Sequence, residues 1–127
     1  MEASGPEYMV NPLDYCQQWI MAAVKKGDDL YTWEHIVQGL ASGHMQLWPS
    51  ENACIVTEIV VYPNKKALHV FLAGGKMDEI LQMTENVKEW AQQHGCTFAT
   101  FSGRLGWQKV LTKAGWKPRT INMQLEF

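Results

Sequence analysis

The sequence predicts a single α/β domain, α+β by a stricter convention: a mixed, mostly antiparallel sheet flanked by helices, in the order ααβββαβαβ. Three observations predict it. Ala53–Tyr62 and Ala67–Leu72 are runs rich in β-branched and apolar residues, joined by Pro63-Asn64-Lys65-Lys66, which reads as a hairpin turn. Residues 77–93 carry helical spacing between two strand runs, and a strand-helix-strand crossover implies a parallel pair. Two helical patterns precede any strand, so helices are available to cover the faces of the sheet.

The length of 127 residues fits one domain and suffices for a real core. Within it, residues 1–9 read as a flexible arm, 10–43 as the N-terminal helices, and 44–127 as the sheet with two further helices. Asn11-Pro12 is a helix start, and Leu13, Cys16, Ile20, Ala23 and Val24 recur at helical spacing up to the Lys25-Lys26-Gly27 stop. Asp28 or Asp29 opens a turn. Thr32 caps a second helix with Trp33, Ile36, Val37 and Leu40 as its stripe, ending at Gly43. His44–Trp48 is a short strand.

In Ala53–Tyr62 both faces are largely apolar, so this strand is expected to be central, with Glu58 as its lone carboxylate. In the returning strand, Leu68, Val70 and Leu72 face one way and Ala67, His69 and Phe71 the other. The long helix ends at Gly95. Thr97–Phe101 is a strand, and a short helix opens at Gly106-Trp107 and stops at Gly115. Thr120–Phe127 alternates Ile121, Met123, Leu125 and Phe127 with polar residues and reads as a closing strand, whose edge is open to pairing in a homodimer.

Composition excludes several classes. The net charge is −2 with no basic block, so sequence-independent nucleic-acid binding is not expected. No apolar run reaches the roughly 18 residues of a membrane span. The acidic, polar MEASGPEY start is unlike a secretory signal. Three cysteines without a CxxC fit reduced thiols in an intracellular protein. His94 and Cys96 have no second pair at zinc spacing, so no metal site is expected. Six tryptophans and seven methionines suit either an adaptable core or an exposed surface for a partner.

Two words carry candidate chemistry. Gly74-Gly75 lies where a strand hands over to a helix, a place where backbone N–H groups and the helix dipole meet anions. The same pair also suits a tight turn needing positive φ. Gly103-Arg104-Leu105-Gly106-Trp107 puts a guanidinium at the carboxyl edge of the sheet, where Arg104 can bind a phosphate or carboxylate or serve the fold by pairing with Glu58 or Asp78.

The element order, together with the LTKAGW helix end, resembles the GNAT (Gcn5-related N-acetyltransferase) superfamily. LWPSENACIVTEIVVYPNKKALHVFLAGG, WAQQHGC and GRLGWQKVL resemble small GNAT-like proteins of tailed bacteriophages and prophages. The resemblance implies acetyl-CoA as cofactor and a small-molecule or protein amine as acceptor. It implies that Phe71, Leu72 and Ala73 face the pantetheine arm, that Gly74 and Gly75 lie at the pyrophosphate, and that Lys76 and Arg104 add positive charge. Glu58 and His69 become the catalytic acid-base candidates, although Glu58 can instead pair with Lys65, Lys66 or Arg104, and His69 can be a packed strand histidine.

The departures are specific. The family's longer phosphate loop is reduced here to Ala73-Gly74-Gly75-Lys76, and Asp78 follows in the first helical turn. The position of the family's tyrosine acid is Leu111. Two functions therefore stand: an acetyl-CoA-dependent N-acetyltransferase in the cytoplasm of an infected bacterium, or a catalytically degenerate phage protein acting as a virion component or host-protein binder.

Overall fold

The computed structural model describes residues 11–27 and 29–127; the predicted arm over 1–9 and Asp28 lie outside the described residues. Helix α1 spans Pro12–Lys26. Asn11 Oδ1 accepts from the Leu13 N–H at 3.0 Å, proline occupies the first turn, and Lys25 and Lys26 complement the negative end of the dipole. Asp29, at φ 58°, turns the chain. Helix α2, Trp33–Ser42, is capped by Thr32 Oγ1, which accepts from the His35 N–H at 3.1 Å, and ends on Gly43 at φ 85°.

Strands β1 (Met45–Pro49), β2 (Ala53–Val61) and β3 (Lys66–Gly75) form an antiparallel meander. After helix α3 (Met77–Gln93), β4 (Phe98–Phe101) pairs parallel with β3, giving the order β1-β2-β3-β4. Helix α4 spans Trp107–Lys113. The mixed sheet, the central β2 and the parallel pair all match the sequence reading.

Each face of the sheet has its own core. Cys54, Val56 and Leu72 pack with Cys16, Ile20 and Val24 of α1 and Ile36 of α2. Ala53, Ile55, Leu68 and Val70 pack on the other face with Ile80, Val87 and Ala91 of α3. This explains why β2 is apolar on both sides: it is sandwiched between two helical layers. Thr57 is fully buried yet satisfied. Its hydroxyl donates to Gln46 Oε1 at 2.8 Å and accepts from Trp48 Nε1 at 3.0 Å.

Three expectations need correction. Thr120–Phe127 forms no strand; its alternation is that of a strand, but backbone pairing needs a neighbouring edge and the segment lies against none among the described residues. Strand β3 runs to Gly75 rather than Leu72 because the Ala53–Ile55 end of β2 continues to pair with it. The strict alternation expected along β3 also breaks. The register slips so that Val56 faces Leu72 while Thr57 faces Val70, leaving Phe71 as the extra residue of a bulge. Phe71 and Leu72 consequently both pack toward the α1–α2 core, while Val70 packs toward α3.

Candidate functional site

The bulge marks the point where β3 and β4 part. Pairing with β4 covers β3 from Ala67 to Val70, and the Ser102 N–H still reaches the Val70 carbonyl at 3.1 Å. From Phe71 to Gly75, β3 is paired only with β2 among the described residues. Its other edge there is a row of backbone donors and acceptors without a strand partner, and it leads directly to the start of α3.

Two sequence candidates meet beside this opening. Glu58 and His69 face each other across the β2–β3 ladder, with Met45 beyond Glu58 and Thr100 beyond His69. His69 Nδ1 lies 2.7 Å from Thr100 Oγ1. Burial pulls the His69 pKa below its ordinary value, and the negative charge of Glu58 opposes that shift only in part. The imidazole is thus held neutral near pH 7, the form that accepts a proton. Its ring stacks on Phe71 at 6.3 Å between centroids, and Phe71 packs on Tyr31 at 5.5 Å. Thr100 beside His69, and Tyr31 beside Phe71, were not legible in the sequence. The i-to-opposite rule on a parallel pair would have found Thr100 once the register was known; Tyr31 precedes α2 and only packing brings it to the sheet.

The glycines are demanded first by the fold. A Cβ on Gly74 would sit 2.8 Å from the Trp19 carbonyl oxygen and 2.9 Å from Trp19 Cβ, so glycine lets α1 lie directly on β3. Gly75 has φ +102°, and its Cβ would overlap the Asn52 oxygen and Ala53 Cα. The Lys76 N–H is already used, donating to the Asn52 carbonyl at 2.9 Å. The side chain of Lys76 is exposed.

Helix α3 starts without a side-chain cap of its own. Glu79 in its first turn instead grips the β1–β2 turn: Oε1 accepts from Ser50 Oγ at 2.6 Å and from the Asn52 N–H at 2.8 Å, and Oε2 from Asn52 Nδ2 at 2.9 Å. These bonds, that from Ser50 foremost, hold its carboxyl below the ordinary carboxylate value. Asp78 is exposed in the same turn.

Arg104 is not brought to this row by any contact. It is exposed in the β4–α4 loop, where its carbonyl accepts from the Trp107 N–H at 3.0 Å, and among the described residues its side chain has neither Glu58 nor Asp78 as a partner. Trp107 packs against Phe101 at 5.1 Å as part of the α3-side core. Leu111 is buried.

Comparison with solved structures gives the same architecture. The chain is similar to the tetramutant of the BH1408 protein from Bacillus halodurans, at 14% identity and TM-score 0.64, covering 95% of this chain and 94% of that one. It is similar to glucosamine-6-phosphate N-acetyltransferase from Arabidopsis thaliana, at 13% identity and TM-score 0.62, covering 93% and 95%. An aminoglycoside acetyltransferase from an uncultured soil metagenomic sample, solved with sisomicin, matches at 6% identity and TM-score 0.62 over 91% and 90%. No protein-family model matches the chain, and no curated protein matches it in sequence. The chain therefore shares the fold of these solved structures, acetyltransferases among them, a likeness of shape at very low identity. None of the described helices is long and apolar enough to cross a membrane.

Proposed function

We propose that this chain is a GNAT-type N-acetyltransferase that takes its acetyl group from acetyl-CoA. The observation that carries the reading is the opening at Phe71, where a bulge ends the β3–β4 pairing and leaves the Phe71–Gly75 edge, beside the start of α3, without a strand partner among the described residues. That edge fits a ligand arm bearing amides, because alternating backbone N–H and C=O groups accept such an arm as they would a strand. The N–H groups of the first turn of α3 and the ammonium of Lys76 suit the phosphates, with Asp78 opposing them. The carboxylate of Glu79 opposes them less, since it is committed to Ser50 and Asn52.

Acetyl-CoA supplies an acyl group activated as a thioester. The protein must hold that group and remove a proton from the attacking ammonium. His69 is the proposed base: it is neutral, its Nδ1 is fixed by Thr100 Oγ1, and this leaves Nε2 to receive the proton. Glu58, opposite on β2, stabilises the imidazolium that results. Phe71 holds the ring plane by stacking. Titration calorimetry with acetyl-CoA tests the reading. Heat of binding, with amide protection appearing over residues 71–75, is expected; no heat with either acetyl-CoA or CoA overturns it.

A second reading is favoured by Leu111, which stands where the resemblance implies a tyrosine acid and has no proton to give. In that reading the chain is a non-catalytic phage protein, a virion component or host-protein binder. A chain that binds acetyl-CoA but releases no CoA with any amine would select it. The phage or prophage origin, and with it a place in the infected cell's cytoplasm or in the particle, rests on the sequence words alone.

A further inference from the structure

We propose that the outer face of α4 is a docking surface for an acidic segment of another protein. The net charge of −2 conceals a division of the chain. Residues 1–89 hold six Lys and Arg against twelve Asp and Glu, whereas residues 90–127 hold five against one, and no Asp or Glu stands between Glu89 and Glu126. The fold carries this division to the surface. β4 is an edge strand and α4 follows it, and Arg104, Lys109, Lys113, Lys117 and Arg119, on and around this helix, are all exposed. The helix sorts its side chains by face. Leu111 is buried and Trp107 packs on Phe101, so these apolar residues meet the body. Leu105, Gln108, Lys109, Thr112 and Lys113 line a shallow groove open to solvent. Leu105 is 88% exposed, an apolar side chain left among cations. Thr112 Oγ1 donates to the Gln108 carbonyl at 2.7 Å, which turns its hydroxyl back onto the helix.

The occupant follows from charge complementarity. Lys109 and Lys113 stand one turn apart, about 6 Å along the axis. Like charges at that spacing repel and weaken the helix they share, and no carboxylate in the surrounding stretch of sequence offsets them. An acidic segment does. Carboxylates two residues apart on an extended chain lie roughly 6.6 Å apart, so one segment meets both ammonium groups while an apolar neighbour covers Leu105. A bilayer fits this face less well, because Trp107 and Leu111 are committed to the body and Leu105 alone is left on the groove to insert. A nucleic acid fits it less well, because no aromatic side chain lines the groove for a base to stack on. The proposal goes beyond the acetyltransferase reading and does not depend on it.

Fluorescence anisotropy of a short labelled peptide of alternating glutamate and alanine, titrated with the full chain, tests it. The expected result is binding that weakens as salt rises, with none to the counterpart of alternating lysine and alanine. Lys109→Glu/Lys113→Glu should weaken it about tenfold or more with Tm unchanged, since both side chains are exposed. Lys65→Glu/Lys88→Glu makes the same change in net charge at two other exposed positions and should leave binding within about twofold. No binding by the wild type overturns the proposal, as does an equal loss in both variants, which would show net charge alone at work. Phosphatidylserine vesicles and a single-stranded oligodeoxynucleotide are tested beside the peptide. If either is bound more tightly than the peptide through Lys109 and Lys113, the occupant is not a protein and the proposal falls. Displacement of the peptide by acetyl-CoA also overturns it, since the two lysines would then serve the phosphates of that molecule.

Discussion

Gly75→Ala separates what the fold needs from what a ligand needs. Gly75 ends β3 at φ +102°, where a side chain is strained whatever the space, and its Cβ would overlap backbone atoms of Asn52 and Ala53 and lie 2.9 Å from Ala53 Cβ. The strained backbone costs about 1–3 kcal/mol. Forcing a methyl into the β2 backbone costs about 1–3 kcal/mol more. The sum, about 4 kcal/mol, is a large part of the roughly 5–15 kcal/mol that holds a domain folded. For a domain of this size that corresponds to a fall in Tm of about 15 °C. The assay is thermal unfolding without any ligand, with Gly106→Ala as the control. Gly106 has φ −59°, and a Cβ there meets nothing within 4 Å, so the control should melt within about 2 °C of the wild type. If Gly75→Ala also melts within about 2 °C, the geometric reasoning fails and the glycine must be explained by a ligand.

Three further outcomes are expected. His69→Gln should lower the rate of acetyl transfer about 10²–10⁴-fold; because burial lowers the wild-type His69 pKa from 6.5, the acidic limb of the wild-type rate should be centred below 6.5, and a limb centred above 6.5 would count against His69 as the base. Thr57→Val removes a buried hydroxyl that serves both Trp48 and Gln46, and should cost about 1–3 kcal/mol in urea unfolding; equal midpoints would show the two partners satisfied elsewhere. Glu79 has a folded pKa below its ordinary value of 4.5, so the stability it contributes is present above pH 4.5 and lost as pH falls through the lowered value; Glu79→Gln should remove that part of the acid sensitivity, and an unchanged pH profile of stability would contradict the three bonds to Ser50 and Asn52.

The sequence alone determined the elements whose signals are local. Asn11-Pro12 and Thr32 cap helices because a side-chain oxygen bonds N–H groups two or three residues away. The two-sided apolar run of β2 announced a strand covered on both faces, and the strand-helix-strand order announced the parallel pair. These rest on contacts within a few residues, or on periodicity, and both can be read along a chain. Glu58 and His69 were each legible as candidates, but that they face one another is a matter of register.

Only the tertiary structure decided the rest. The bulge at Phe71 leaves no mark in the sequence because it comes from how β2 and β3 align, not from the residue itself. Gly74 looked like a phosphate glycine, and the reason it must be glycine proved to be the backbone of Trp19, far away in sequence. Glu79, which nothing in the sequence singles out, is the clasp between α3 and the β1–β2 turn. The alternation of Ile121 to Phe127 was read correctly as a pattern and wrongly as a strand within the chain. A strand is completed only by a neighbour's backbone, and whether one lies within reach is fixed by the path of the chain in three dimensions.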